Sequence, residues 1–519
     1  MELPLLTLLI ALPLAGAVSL LAVSSRDEGG VALVRTVALA WAALEFVLTL
    51  VLWSRFDSGS ADFQFVERHA WIPAFGVEYL VGVDGISLFL VVLTGFLTPL
   101  ALLSSWASVH GRVRAFSMCV LALESAMVGV FLSLDLFLFY VCWDAMLVPM
   151  YFLIGVWGYD RRLYAAVKFM LYTLAGSVLM LVAILSLAHF HDLATGSYSF
   201  DLTRLLTLQL SGRVQFWGFL AFAIAFAIKV PLFPFHTWLP DAHVEAPTAG
   251  SVLLAGVLLK MGTYGFVRFA FPLFPEAALL FAPYLAGLAV VGIVYGALVA
   301  MVQPDLKKLV AYSSVSHLGF VVLGIAAMNL QGLQGAVFQM LAHGVSTGAL
   351  FLIVGMLSDR RHTRLIAEFG GLKRVMPRLT AAFLLVTLSS IGLPGLNGFV
   401  GEFLILLGAF RWQPGLAAAA AIGVVLSAVY MLWMFQRVNY GEVTSEKNAA
   451  LADLHAREWW TLGPALASIV LMGVAPTLFL RPMEPALERL VERLGRTRPI
   501  AAQRTDIAPA LDIRLPAPE

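Results

Sequence analysis

Charged residues are scarce in this sequence. They make up 13% of its 519 residues, whereas hydrophobic residues make up 60%. Because soluble domains carry about 25% charged residues, a soluble fold could not cover this much apolar surface. The net charge of +1 gives no basis for binding nucleic acid. The composition therefore indicates a protein that crosses a membrane many times.

Cysteine is also rare, and the short motifs that bind cofactors are missing. The two cysteines, Cys119 and Cys142, both fall in apolar segments, so the sequence has no disulfide framework, CxxC pair or metal-ligand spacing. It has no P-loop, no GxGxxG after a strand and no haem-attachment motif. We therefore expect no metal and no nucleotide or redox cofactor in this chain.

Long apolar runs dominate instead. Segments of about 20 hydrophobic residues, the length that crosses a bilayer as a helix, recur along the chain. We predict an all-α, multi-pass membrane protein with about fourteen transmembrane helices in one domain, residues 1–480. The predicted cores lie near 3–23, 31–53, 83–106, 113–132, 135–157, 163–189, 216–238, 248–270, 277–300, 307–328, 331–357, 379–410, 415–438 and 461–480.

Basic residues in the loops predict the orientation. With the N-terminus outside, most loop Lys and Arg residues fall on the inward side, as the positive-inside rule requires. We therefore predict a bacterial inner-membrane protein with both termini in the periplasm. Residues 54–82 are predicted to form a small outward hairpin, and Asp84 and Asp135 are predicted helix N-caps. The tail, 481–519, is predicted to be amphipathic and then flexible.

Two of the segments are interrupted. One is "FAIAFAIKVPLFPFHTWLP", residues 222–240, and the other is "SSIGLPGLNGFVGEFLIL", residues 389–406. Proline removes a backbone donor and clashes with the preceding turn, so we predict that helices 7 and 12 are broken inside the membrane. Breaks at matching positions of two halves are typical of internally repeated transporters. We therefore predict two inverted five-helix repeats, helices 4–8 and 9–13, over about 113–270 and 277–438.

Titratable residues inside the membrane are costly and are candidates for function. At a rise of 1.5 Å per residue, most of the candidates lie roughly 14–20 Å into their segments, and the last lies just past the second break. They are Glu124, Asp144, Lys229, Lys260, His317, His343 and Glu402. Lysine and histidine beside carboxylates can exchange protons, so this row predicts a proton relay. Glu45 and Lys168 are weaker candidates.

Structural interpretations compete with the relay. Lys229 could form a permanent ion pair that clamps two helices, Lys260 could extend to an interface, and Glu402 could cap donors freed at the break. The two midplane histidines could be simple interhelical hydrogen bonders. In "FHTWLPDAHVEAPTAGS", His236 and His243 follow the first break toward the inward side. They are predicted to line a path for protons from the cytoplasm, or else only to pack the broken helix.

The stretch "KVPLFPFHTWLPDAHVEAPTAGSVLLAGVLLKMGTYG", residues 229–265, resembles the antiporter-like membrane subunits of respiratory complex I, NADH:quinone oxidoreductase. The stretches "SLDLFLFYVCWDAMLVPMYFLIGVWG", "AYSSVSHLGF" and "GLPGLNGFVGEFLIL" are similar to the M group of this family, called subunit 4 in mitochondria. The related L and N groups carry a lysine on the second broken helix, where this sequence has Glu402.

The resemblance implies proton translocation driven by quinone reduction elsewhere in the complex. NADH, flavin, iron–sulfur clusters and quinone would be bound by partner subunits, with L and N subunits and lipid as neighbours. The family's relay positions correspond to Asp144, Lys229, Lys260, His317, His343 and Glu402. Family members usually have glutamate at the first of these positions. The shorter Asp144 implies a looser or water-bridged pairing with Lys229, and Glu124 could share its role.

Other functions remain open at this point. The chain could belong to a multisubunit cation/proton antiporter or to a membrane-bound hydrogenase, which share this fold. It could also be a structural spacer in which Lys229 and Asp144 form only a clamp. Sodium dependence, the co-purifying subunits and a charge-neutral double substitution distinguish these cases.

Overall fold

The protein is almost entirely helical in the computed structural model, which describes residues 4–25, 27–443 and 445–505. The first half contains α1 Leu5–Ser19, α2 Glu28–Arg55, β1 Gln64–Ile72, β2 Val77–Val83, α3 Gly85–Ser104, α4 Val113–Leu132, α5 Leu136–Ala145, α6 Leu147–Trp157, α7 Arg162–Thr195, α8 Leu202–Leu205, α9 Gly212–Lys229, α10 Trp238–Glu245, α11 Thr248–Leu253, α12 Leu259–Gly265 and α13 Phe271–Leu273. The second half contains α14 Pro275–Met301, α15 Leu306–Ala326, α16 Leu330–Arg361, α17 Leu372–Val375, α18 Pro377–Ser390, α19 Asn397–Trp412, α20 Pro414–Asn439, α21 Glu446–Ala449, α22 Ala456–Val474 and α23 Thr477–Thr505.

Within the described ranges, twelve helices are long and apolar enough to cross a membrane. The bent pair Ala456–Val474 and Thr477–Arg496 brings the number to thirteen. The remaining predicted segment, 379–410, is divided between α18 and α19, which have 14 and 16 residues and are each too short alone. The multi-pass helical fold is confirmed. The organisation into two inverted repeats stays a prediction.

Helix starts follow local chemistry. Asp84 and Asp135 accept hydrogen bonds from the first backbone amides of α3 and α5, which confirms their predicted role as N-caps. Asp305 caps α15 in the same way. The predicted outward hairpin is also present, because β1 and β2 pair antiparallel.

Both predicted breaks are present. The first lies between α9 and α10, and it leaves helical carbonyls at the end of α9 without intrahelical partners. The indole Nε1 of Trp238 donates to the carbonyl of Ile228 at 2.8 Å and so satisfies one of them. The second break separates α18 from α19, where the side chain of Asn397 takes part in a buried polar network.

The core lies around three central helical segments. In the spans Thr248–Leu273 and Leu330–Arg361, every residue of the most apolar window is buried, and Leu306–Ala326 is almost as enclosed. The spans of α1, α2, α7, α14 and α20 are instead largely exposed at the periphery. Polar groups on the three central segments are therefore shielded from lipid by the rest of the fold.

The predicted amphipathic start of the tail lies within α23, which packs against α3 and α16. Gly85 makes this close approach possible, because an added Cβ would lie 1.8 Å from the carbonyl oxygen of Pro482. Residues 506–519 of the predicted tail lie outside the described residues.

Candidate functional site

Lys260 lies in the fully buried segment formed by α11 to α13. Two π-helical turns, Leu254–Leu258 and Phe266–Ala270, interrupt this segment on either side of the lysine. Such wide turns are frequent at functional sites because they release carbonyls from the regular ladder. The Lys260 ammonium donates to the carbonyl of Ala255, inside the first of these turns. The local backbone therefore supplies a partner for a charge held away from solvent.

A row of polar side chains starts at this lysine. Its Nζ lies 2.7 Å from Nδ1 of His343 on α16. The His343 and His317 rings have centroids 5.8 Å apart, and Nδ1 of His317 lies 2.9 Å from Oε1 of Glu402. We call these four residues, Lys260, His343, His317 and Glu402, the polar row. The row runs from Lys260 on α12, through His343 on α16 and His317 on α15, to Glu402 on α19, which follows the second break.

A small cavity adjoins the middle of the polar row. Its volume is about 10 Å³, close to the minimum space for one water molecule. Polar side chains line it: His317, Gln339, His343, Ser346, Thr347, Ser389 and Ser390. A water there would have several hydrogen-bonding partners and could bridge the two histidine rings.

The second break positions Glu402. Gly392 adopts a φ of +75°, and a Cβ at this position would lie 3.1 Å from Oε2 of Glu402, so the turn brings bare backbone against the carboxylate. Gln339 Nε2 donates to the same carboxylate at 3.3 Å. Ser346 of α16 donates to Asn397 at 3.1 Å, which ties the start of α19 to the central helix. Leu393 beside the turn is exposed, so this end of the row approaches the protein surface.

Lys229 has a different environment, at the last residue of α9. Its side chain is fully buried, and Nζ lies 5.4 Å from the ring centroid of Trp143 and 5.5 Å from that of Phe169. Among the described residues, Nζ has no hydrogen-bond acceptor. Asp144 is the carboxylate that acts on it electrostatically, from beyond ion-pair distance. The looser pairing that the short aspartate implies is therefore the arrangement found in the structure.

Glu124 lies elsewhere. Its carboxylate on α4 is fully buried and acts on that of Glu45 on α2, which is also fully buried. No local pattern in the sequence pairs these two residues, and Glu45 is among the weaker candidates. The structure thus associates Glu124 with a second carboxylate and leaves Asp144 as the acidic neighbour of Lys229.

His243 and His236, the two histidines predicted to line the proton path, lie in separate places. His243 is fully buried, stacks on Phe351 with centroids 4.6 Å apart, and lies within electrostatic range of Lys260. His236 lies among the rings of Phe233 and Tyr295, on the side of the molecule that carries Lys168. Only the first of the two histidines adjoins the polar row.

The seven midplane residues therefore form three groups. The polar row unites four of them, Lys229 and Asp144 form a second group, and Glu124 with Glu45 forms a third. Sequence reasoning missed Gln339 and Asn397, since neutral amides give no charge signal inside a helix. Within the described ranges, no group of three or more His, Cys, Asp or Glu side chains is arranged to hold a metal ion.

Two family models match the chain. The model described as NADH:quinone oxidoreductase/Mrp antiporter, transmembrane, matches residues 133–428, more than half of the chain. The model described as the amino terminus of NADH-ubiquinone oxidoreductase chain 4 matches residues 38–130. The second match ends three residues before the first begins, so together they cover most of the membrane-spanning part.

Curated relatives match over nearly their whole length. NADH-quinone oxidoreductase subunit M of Rhodobacter capsulatus is 48% identical over 510 residues, which are 96% of this chain and 99% of the relative. NADH-ubiquinone oxidoreductase chain 4 of Arabidopsis thaliana is 44% identical over 485 residues, 93% of this chain and 96% of the relative.

Solved structures have the same fold. A chain of respiratory complex I from Thermus thermophilus superposes with a TM-score of 0.86 at 36% identity, over 94% of this chain and 100% of that chain. A chain of the Mrp complex from Dietzia gives 0.80 at 22% identity, over 95% and 100%. The second likeness is one of fold alone.

Proposed function

This chain belongs to the NADH:quinone oxidoreductase/Mrp antiporter family, in the branch of subunit M and chain 4, and we propose that it moves protons through the polar row. It is a multi-pass, proton-translocating membrane subunit of NADH-quinone oxidoreductase, respiratory complex I. Quinone reduction elsewhere in the complex supplies the driving force.

The single observation that carries the proposal is the row from Lys260 to Glu402, in which two hydrogen-bonding pairs, Lys260–His343 and His317–Glu402, face each other across a cavity the size of one water molecule. Each member can bind and release a proton, and each neighbour in the chain can accept what the previous one gives up. Three of the four groups lie in the three most deeply buried segments, and Glu402 on α19 is itself buried, so an ordinary structural ion pair would be costly here. A chain of exchangeable protons at membrane depth is what translocation requires.

Lys229 and Asp144 would act as the switch that loads the row. A buried ammonium held by aromatic faces and a distant carboxylate changes its protonation readily when that carboxylate moves. The break at the end of α9 gives this segment the freedom to adjust. We place proton uptake on the cytoplasmic side near the first break, and release near Glu402.

The two ends of this arrangement lie near the surface and fit contacts with neighbouring subunits. Val141 and Val148, on either side of Asp144, are exposed, as is Leu393 beside Glu402. We propose that L-type and N-type subunits and lipid cover these faces. We also propose that the redox cofactors lie in partner subunits. The chain would lie in a bacterial inner membrane with both termini in the periplasm, in line with its basic inward loops.

The test uses the complete complex, purified and reconstituted in proteoliposomes. Lys229→Ala and His343→Ala should each abolish proton pumping and most of the coupled quinone reduction, because one removes the switch and the other interrupts the row. Lys447→Ala, at an exposed position of α21, is the matched control and should behave as wild type.

Full retention of pumping by both variants would overturn the proposal. Pumping that depends on sodium would favour the cation/proton antiporter function instead. A charge-neutral double substitution of Lys229 and Asp144 that preserved pumping would reduce this pair to a structural clamp.

A further inference from the structure

Lys307 is a buried lysine that the relay described so far does not use. By its position between two predicted helices it belongs with the basic residues of the inward loops. In the structure it lies in the first turn of α15, and its side chain is only 4% exposed. Its neighbour Lys308 is exposed. Two adjacent lysines thus occupy opposite environments.

Besides the connection between α14 and α15, three connections between helices surround Lys307. Its Nζ donates to the carbonyl of Ala246, between α10 and α11, at 2.5 Å, and lies 5.4 Å from the ring centroid of Tyr159, between α6 and α7. Arg364, after α16, donates to the carbonyl of Val244 at 2.7 Å. These connections all lie on the predicted inward side.

The nearby carboxylates are engaged with other groups. Asp305 accepts from the backbone amide of Lys307 at 2.7 Å, and its other oxygen lies 3.3 Å from Nε of Arg364. Glu245 accepts from the amide of Arg161 at 2.9 Å. The Lys307 ammonium is therefore held by a carbonyl and an aromatic face. It lies within electrostatic range of the acidic groups but forms no close ion pair with any residue that the structure describes. Such a group can release its proton.

His243 connects this lysine with the polar row. It lies within electrostatic range of Lys307 and of Lys260, and both of its ring nitrogens lack hydrogen-bond partners among the described residues. Lys260 in turn contacts His343 at 2.7 Å. His243 is thus acted on by Lys307 from one connection and by Lys260 at the start of the polar row.

We propose that Lys307 is a proton-binding residue at the inward end of the polar row, which passes protons to His243. This inference rests on the proposed function. An N–H bond of the Lys307 ammonium breaks as one forms on the His243 imidazole, and the imidazolium then protonates the neutral amine of Lys260. Lys307 regains its proton from cytoplasmic water. Neighbouring cations repel each other strongly in a buried setting of low dielectric constant, so this repulsion drives the proton onward along the row.

Arginine, methionine and histidine at position 307 distinguish proton transfer from a structural role. Lys307→Arg keeps a donor for the Ala246 carbonyl but cannot release a proton, and Lys307→Met removes both functions. Lys307→His restores a titratable group that exchanges protons near neutrality. The matched control is Lys308→Met, which removes the charge from the adjacent exposed lysine.

The measurement is the proton-to-electron ratio of reconstituted complexes and its pH profile. We expect pumping to fall at least tenfold in Lys307→Arg and Lys307→Met, a lower bound on the ~10²–10⁴-fold contribution of one proton-transfer group. Lys307→His should restore pumping, with an optimum displaced to lower pH, and Lys308→Met should match wild type. The groups facing position 307 that contribute to the profile are Tyr159, His243, Glu245, Asp305, Asp359 and Arg364.

The outcomes separate the two levels of the proposal. If His343→Ala abolishes pumping but Lys307→Arg pumps normally, the role of Lys307 is wrong and the polar row stands. If His343→Ala also pumps normally, the proposed function itself fails. If the arginine variant does not assemble, Lys307→His decides: pumping with an unchanged pH profile would overturn the inference.

Discussion

The two buried lysines that the sequence singles out are held in opposite ways. Lys260 touches its partners directly, with His343 at 2.7 Å and a backbone carbonyl released by a π-helical turn. Lys229 touches no acceptor among the described residues and lies between two aromatic rings at 5.4 and 5.5 Å. Lys260 belongs to the polar row, whereas Lys229 lies in an apolar pocket with a distant carboxylate.

This difference separates conduction from control. A proton moves along hydrogen-bonded groups, so the region around Lys260 is suited to transfer. A lysine without a hydrogen-bond acceptor depends on the charge of its surroundings, so Lys229 is suited to respond when Asp144 moves or is neutralised. Mutations in the two regions should therefore differ: changes in the row should stop proton transfer, whereas changes around Lys229 that leave its ammonium in place should only weaken the loading of the row.

The largest effect is expected at the far end of the row. In Glu402→Gln the side chain still accepts a hydrogen bond from His317 but cannot take up a proton. We expect the rate of proton pumping in proteoliposomes to fall by ~10²-fold, as for loss of one positioned proton acceptor. Glu442→Gln, at an exposed loop position, is the control and should change nothing. Normal pumping by Glu402→Gln would show that the row around Lys260 does not conduct protons, and the division between conduction and control would be wrong.

Much of this arrangement follows from the sequence. Apolar run lengths predict the spans, and prolines predict the breaks at the end of α9 and before α19, because both signals are local. The partners of the charged residues do not follow. Glu124 acts electrostatically on Glu45 only because α2 packs on α4. Lys307 is buried only because four connections between helices surround it. The π-helical turn beside Lys260 leaves no composition signal.

A smaller effect is expected at the carboxylate that acts on Lys229. Asp144→Asn keeps the size of the side chain and removes its charge, which should reduce coupled pumping about tenfold, the factor that one pKa unit of charge interaction represents. Asp144→Glu should pump at least as well as wild type, because the longer side chain brings the carboxylate closer to the ammonium. Asp160→Asn, at an exposed loop position, controls for the loss of a carboxylate. Equal activities of the Asn and Glu variants would show that the charge at position 144 does not control Lys229.

The smallest effect is expected at the aromatic wall of the Lys229 pocket. Trp143→Phe keeps an aromatic face but weakens its attraction for the ammonium, and cation–π contacts contribute about 0.5–1 kcal/mol or more when buried. We expect turnover to change by about twofold, with Trp460→Phe, whose tryptophan is 73% exposed, as the control. The proton-to-electron ratio should stay at the wild-type value, because the row from Lys260 onward is intact. A fall in pumping as large as the one expected in Glu402→Gln would mean that Trp143 and Lys229 are part of the conducting chain. The two lysines would then not be divided between control and transfer.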